Sequence, residues 1–333
     1  MERKNNFYLK SIFVLSILVF ISFVFLGVVF ANDYPSKPIK LIVPYNPGGA
    51  TDTTARIIQH GLEKILPQPV VVINMGGAAG TIGSKEVVTA EPDGYTAVII
   101  ESANLWTAYA LGNVDYNPDD FELVTQAGGF YLAETTGNDS RFKNLGDYLT
   151  AVKEMPNTVK EATNIGAITH FTSLRIQDAL GGDAAFKLVH IGDGAQRLVN
   201  VLGGHVDATI MSTMEAKKHY DSGDMCILAV YAPERLDDMP DVPTSLEFGI
   251  DVGKSPICHI IAMPKNTPKD IIEIFADAVE KAFQIPETIE KMNNLMMIPF
   301  HAKGEELRKI VTEEGKTLLY IADKYNLKQT VTK

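Results

Sequence analysis

The chain is short of the residues that build metal centres, covalent frameworks and nucleotide loops. Cysteine occurs twice, at Cys226 and Cys258, both in apolar, strand-like runs. Export would permit a disulfide between them, and two buried free thiols fit the pattern equally. The seven histidines form no HxxxH pair and no Cys–His cluster, so neither a metal site nor a cofactor is expected. No GxSxG elbow is present, and spacing nominates no carboxylate pair and no Ser/His/Asp set, so an enzyme is not expected. A glycine-rich loop at 76–83 is spaced G-G-x-x-G-x-x-G, not the G-x-G-x-x-G of dinucleotide sites. Nor does a Lys-Ser/Thr follow Gly49, as a P-loop requires. Positive charge is also scarce, with 30 Lys and Arg against 41 Asp and Glu and a net charge of −11. That balance disfavours nucleic acid and anionic membrane surfaces as partners.

A long apolar run occurs once. Arg3, Lys4 and Lys10 precede it, it spans Ile12 to Phe30, and it ends Val29-Phe30-Ala31 before Asn32-Asp33. A basic segment, an apolar segment and small residues at −3 and −1 define a secretory signal over 1–31, cut after Ala31. An uncleaved anchor is the alternative, because the run is long for a signal. No cysteine follows it, which excludes a lipoprotein anchor. Either way the remainder is expected outside the cytoplasm. Loss of Glu2, Arg3, Lys4 and Lys10 would make the net charge more negative by two.

The chain is organised around Lys40–Arg56, KLIVPYNPGGATDTTAR. Leu41, Ile42 and Val43 read as a strand that meets Pro44 and Pro47 and turns on Gly48-Gly49. A helix restarts near Thr51, with Ala55, Ile58, Leu62 and Ile65 on one apolar face. Two glycines allow close approach and positive φ, and the helix N-terminus behind them is a seat for an anion. The plainer reading is a βα turn with Thr51 or Asp52 as N-cap.

Strands, loops and helices then alternate. Gln68–Asn74 reads as a buried strand entering the 76–83 loop and a short helix through Val88; Tyr95–Ile100 is the next strand. Phe121–Thr136 reads as mainly strand, broken at Gly128-Gly129, and Pro156 stops a helix with Leu145, Tyr148, Leu149 and Val152 on one face. A second series follows: strand Val159–Ile165, loop Gly166–Thr169, helix from His170, strand Phe186–Ile191, loop Gly192-Asp193-Gly194, and a helix closed at Gly203-Gly204. Strands Val206–Met211, Cys226–Tyr231 and Ile257–Met263 come next, and helices from Pro268, Pro286 and Gly304 finish the chain. The order suggests two α/β lobes, the first built from both ends of the chain (32–128 and 229–333) and the second inserted (129–228). Two crossing strands would join them and leave a cleft between.

These segments resemble the tripartite tricarboxylate transporter substrate-binding receptors, also called the Bug family. The resemblance rests on YPSKPIKLIVP at 34–44 and PGG at 47–49 with Asp52, Ala55 and Arg56. It continues through Asn74 with Gly77-Ala78-Ala79-Gly80, PDGY at 92–95, and Asp115-Tyr116, Pro118 and Phe121. LGGHVD at 202–207, LAV at 228–230, DVPT at 241–244, and Pro264 with Thr267-Pro268 complete it. It implies a type II periplasmic binding protein-like fold, a two-lobed Venus flytrap in which each lobe is a mainly parallel sheet flanked by helices. It also implies a monomeric periplasmic receptor for a small organic acid, partnered by a two-subunit membrane permease. The motifs place the ligand against Gly48, Gly49, Thr51 and Asp52, against Gly80 and Thr81, and against Ser102. On the facing lobe they point to Ile168, Thr169, His170 and Asp193. Ile168 fills part of the pocket, and Asp193 lies where related receptors carry a Tyr-Lys-Gly run. His170 is expected to cap or pack its helix, and Asp52 to serve as a helix N-terminal carboxylate. Presentation of the solute to a membrane sensor kinase would use the same pocket, and an enzyme on the same frame is the remaining alternative.

Overall fold

Ile39–Val43 (β1) is almost continuously buried, as a strand covered on both faces must be. It pairs in parallel with Val70–Asn74 (β2) and with Thr96–Glu101 (β3). This computed structural model describes residues 34–181, 183–192, 194–252, 256–299 and 301–328. The signal sequence and its cleavage site after Ala31 lie outside the described residues. Residues 37–333 form one compact unit and Met1–Ser36 another, in which the Tyr34–Pro35 peptide is cis.

The larger unit holds two five-stranded sheets, ordered β2-β1-β3-β10-β4 and β7-β6-β8-β5-β9. Phe121–Phe130 (β4) belongs to the first, and after Tyr131 the chain enters Leu132–Gly137 (β5) of the second. The second sheet adds Lys160–Thr163 (β6), Lys187–His190 (β7), Ala208–Ser212 (β8) and Met225–Val230 (β9). Ile257–Pro264 (β10) then returns to the first. Both sheets are mixed. Three neighbouring strands run parallel in each, and one strand, β10 or β5, lies antiparallel to both of its neighbours. The carboxyl ends of β1, β2 and β3 therefore share one edge of the first sheet, and those of β6, β7 and β8 one edge of the second.

Among the described residues ten α-helices cover the sheets. Ala50–Leu62 (α1), Thr81–Val88 (α2) and Ser102–Ala110 (α3) follow the first three strands, and Leu145–Glu154 (α4) precedes β6. Ile168–Leu180 (α5), Gly194–Leu202 (α6) and Thr213–Asp221 (α7) follow β6, β7 and β8. Lys269–Ala282 (α8), Pro286–Asn293 (α9) and Gly304–Lys324 (α10) end the chain. Among the described residues no helix is long and apolar enough to cross a membrane.

Local outcomes can be set beside the sequence reading. Helix α1 ends at Leu62, so Ile65 lies beyond it and is exposed. Strand β4 continues through Gly128 and Gly129 to Phe130, but its ladder with β10 shifts register there, with Gly128 at φ +86°. Gly129 lies so close to β10 that a Cβ there would stand 2.6 Å from the Ile257 carbonyl oxygen. Helix α3 follows β3 directly, where the sequence reading had no helix. Cys226 and Cys258 are free thiols on strands of different sheets.

Helix α10 packs against α3 and β4 and also against α5, so one element lies on both sheets' helices. At its centre Gly315 meets the Trp106 indole face to backbone. Near its end Lys324 pairs with Asp178 of α5, and the Tyr325 hydroxyl donates to the Leu174 carbonyl at 3.2 Å. A buried cluster accordingly runs from Ala103 and Ala110 of α3 and the following Leu111 through Phe171 and Leu174 to Leu318 and Ile321.

Candidate functional site

Each sheet carries a set of loops at the carboxyl ends of its three parallel strands. Gly166, after β6, is held at φ +95°, and a Cβ on it would stand 3.1 Å from Leu111, just past the end of α3. That contact sets the loop after β6 against the carboxyl-terminal end of α3.

The first loop turns at Gly48, whose φ of +93° favours glycine, and α1 begins behind Gly49 with no side-chain cap. Neither Thr51 nor Asp52 is the N-cap. Asp52 lies in the first turn and accepts the Gly48 N–H at 2.9 Å, Arg56 Nε at 3.0 Å and Asn74 Nδ2 at 2.9 Å. Burial alone would raise its carboxyl, but these donors hold it below the usual carboxylate range. Asp52 therefore fastens the turn. The N–H groups of Gly49, Ala50 and Thr51 have no intrahelical acceptor, and space beside Gly48 and Gly49 is open.

The second loop is differently built. Gly80 N–H donates to the Gly77 carbonyl and Thr81 N–H to that of Ala78, within a single 3-10 turn. The Thr81 hydroxyl also donates to Ala78, so the donors of both candidate residues are engaged inside their own loop. Gly80 has φ +91° and abuts the Tyr45 ring.

Glu101, at the end of β3, joins these loops, and the motif reading missed it. Its carboxylate accepts the Tyr45 hydroxyl at 2.5 Å, the Thr51 hydroxyl at 2.7 Å and Asn104 Nδ2 at 2.7 Å; Asn104 also donates to the Tyr45 oxygen. Behind it, His259 of β10 is wholly buried. Its Nδ1 bonds Thr54 Oγ1 at 2.9 Å, and its Nε2, with no hydrogen-bond partner, stands 3.9 Å from Glu101 Oε1. Burial raises the Glu101 carboxyl, but His259 and the two hydroxyls outweigh it and hold the group below its ordinary range. Burial, then the Glu101 charge, push the Tyr45 phenol well up, so it remains a donor. A charged residue ending an otherwise apolar strand, TAVIIE, was the available signal.

Ser102 is fully buried, and its hydroxyl donates to Glu314 Oε2 of α10 at 2.5 Å. Only its backbone remains for the loop edge. Glu314 lines a separate cavity of about 260 Å³ with Arg175, Cys258, Leu132 and Tyr231. Of the candidate residues only Ile168 borders it. An open groove at Tyr109, Leu319 and Tyr320 touches none of them.

On the facing edge α5 starts behind Ala167, without a side-chain cap and with no acidic residue in its first turn. Thr169 Oγ1 bonds Thr163 Oγ1 at 3.0 Å and accepts the Asn164 N–H at 3.4 Å, bracing the loop from within. His170 Nδ1 accepts the Gly166 N–H at 3.3 Å. Burial lowers this imidazole to about 4, so at neutral pH it is uncharged and packs its helix. Ile168 is buried beside them, and its N–H and that of Thr169 have no intrahelical acceptor. Asp193 lies outside the described residues. Among the described residues no group of three or more His, Cys, Asp or Glu could hold a metal ion.

Two lobes, each with an uncapped helix N-terminus at the carboxyl edge of its own sheet, have the architecture of a solute-binding receptor. Residues 54–327 match the model of the tripartite tricarboxylate transporter family receptor, and the chain belongs to that family. It is 30% identical over 301 residues to the "UPF0065 protein in the TAR-I ttuE-ttuC' intergenic region" of Agrobacterium vitis, covering 86% of each chain. Its fold is similar to that of the periplasmic binding protein BugD, with a TM-score of 0.79, 28% identity, and coverage of 89% of this chain and 99% of that one. MatC from Rhodopseudomonas palustris, solved with bound malate, shares the fold with a TM-score of 0.78 and 24% identity, over 87% of this chain and 100% of that one. The family is one of binding receptors, and this chain is a solute receptor rather than an enzyme.

Proposed function

We propose that the protein captures a small carboxylate-bearing compound between its lobes outside the cytoplasm and delivers it to a two-subunit membrane permease. The observation that carries this reading is the pair of uncapped helix N-termini, α1 and α5, one on each loop edge. Each offers N–H groups without intrahelical acceptors and the positive end of a helix dipole, the usual seat of a carboxylate. The loops at 44–51, 75–83, 101–107, 164–172, 191–196 and 212–216 contain neither Lys nor Arg, which favours backbone N–H groups as the donors that hold the ligand. The family's description as tricarboxylate transporter receptors supports the same chemistry.

A melting screen of di- and tricarboxylates tests it. A ligand at about a hundred times its Kd adds about 2.7 kcal/mol of stability, and scattering should report a more compact particle. Gly49 has ordinary φ and open space, so Gly49→Val should fold normally and lose binding by more than about tenfold, or about 1.4 kcal/mol. Normal carboxylate affinity in that folded variant, or chemical conversion of the bound acid, would overturn the proposal.

A further inference from the structure

A cavity of about 260 Å³ lies where the chain crosses between the sheets. Leu132 opens β5 just past the first crossing, Tyr231 follows β9, and Pro256 and Ile257 lead into β10 at the second. Helix α5 adds Thr172 and Arg175 to its wall, and α10 adds Ile310, Glu314 and Leu318. The neutral polar groups of that wall are engaged. Tyr231 donates to Glu134 Oε2 at 2.6 Å, Thr172 to the Ile168 carbonyl at 2.9 Å, and Thr317 to the Glu313 carbonyl at 3.4 Å. The Cys258 thiol, pushed up to about 12 chiefly by burial, accepts Gln126 Nε2 at 3.1 Å. Arg175 is the exception. Its guanidinium has five donors, yet among the described residues it makes no hydrogen bond and no ion pair, and Glu314 and Asp251 act on it only through space. Burial works against its charge, and a bound anion would relieve that cost. Glu314 is held by Ser102 and pushed up to about 7 chiefly by burial, so below that pH it does not cancel the guanidinium. Glu313 is exposed.

We infer that this cavity is a second binding site, for a small monocarboxylate with an apolar body, its carboxylate on Arg175 and its body against Ile168, Ile257, Ile310 and Leu318. The site is separate from the seat between α1 and α5 and does not depend on which acid that seat holds; Ile168 alone borders both. A planar guanidinium matches a carboxylate through two parallel N–H···O bonds, which gives the head group a fixed orientation. The volume is that of about nine waters at about 30 Å³ each, room for a six-carbon acid. A di- or trianion fits poorly, because one cation in an apolar surround leaves its further charges buried and unpaired.

Calorimetry at pH 6, below the Glu314 titration, tests the inference with hexanoate, 1-hexanol and hexylammonium as matched probes. Hexanoate should bind the wild type at least about tenfold more tightly than either of the others. It should also bind Gly49→Val, which lacks the α1 seat, within about threefold of the wild-type affinity. Arg175→Met keeps a long side chain and removes the donors. It should weaken hexanoate by about tenfold or more, while any di- or tricarboxylate that stabilises the wild type still binds. Circular dichroism and a melt establish that the variants are folded; if Arg175→Met is not, the probe comparison in wild type and Gly49→Val decides alone. Equal binding of the alcohol or the amine, unchanged hexanoate affinity in folded Arg175→Met, or no hexanoate binding overturns the inference and leaves the carboxylate receptor standing. Loss of hexanoate in folded Gly49→Val has the same meaning, since the α1 seat then took the probe. Hexanoate held through Arg175 while every di- and tricarboxylate fails supports this site and counts against the receptor reading.

Discussion

Single carboxyl groups in this protein are assigned opposite tasks by their surroundings. Asp52 and Glu101 are kept ionised by donors that outweigh burial. Glu314 is pushed up to about 7, chiefly by burial, with the Ser102 hydroxyl only partly offsetting it. A carboxyl raised in the folded state is stabilising relative to the unfolded chain at low pH. That contribution is lost as pH rises from about 4.5 through 7, because the unfolded state ionises first. His170 has the opposite slope: lowered to about 4, it loses stability as pH falls from 6.5 towards 4. Glu314→Gln keeps an acceptor for Ser102 and removes the titration. It should raise stability by about 2 kcal/mol at pH 7.5 and change it little at pH 4.5, as denaturant melts at the two pH values would show. An equal effect at both would mean that Glu314 is not held neutral.

At the scale of elements, α3 explains why a motif-guided reading passed over a helix. SANLWTAYA has no clean apolar stripe, because Ser102, Ala103, Asn104, Leu105, Thr107, Ala108 and Ala110 are all buried. A helix covered nearly all round carries no amphipathic signature. One covering element is α10, which approaches through Gly315: a Cβ there would lie 2.2 Å from the Trp106 ring. Alanine in a helix ordinarily gains up to about 1 kcal/mol over glycine. Here overpacking against a rigid indole should dominate, so Gly315→Ala is expected to lose about 2 kcal/mol net. A melting temperature several degrees lower, with unchanged secondary structure, is the expected result; a stabilised variant would show that α3 and α10 are not packed this closely.

The whole molecule is two sheets that share a chain twice over. Strands β4 and β5 carry it out, and the segment from β9 to β10 brings it back, so each sheet's fourth strand lies antiparallel to its neighbours. Helix α10, with its Lys324–Asp178 pair, then touches both sheets' helices. For such a receptor to work, the molecule must reach the solute's compartment. The Val29-x-Ala31 pattern predicts a secreted product beginning at Asn32. Intact-mass measurement of the exported protein checks this, and retention of residues 1–31 in a membrane-fixed form would count against it.

Local pattern alone settled much of this protein. The apolar run of β1, the Pro-Gly-Gly turn and the Ala55, Ile58 and Leu62 face of α1 read directly, since each depends on residues a few positions apart. The alternation of strands and helices likewise gave the two-lobed α/β class, and nine ordered motifs gave the family. The tertiary structure decided what depends on residues far apart. Glu101 meets Tyr45, Thr51 and His259 across separations of up to 158 positions, and Ser102 meets Glu314 across 212. No periodicity encodes those meetings. They arise because parallel strands align their carboxyl ends at one edge, where burial and neighbouring donors, not residue type, set each group's charge.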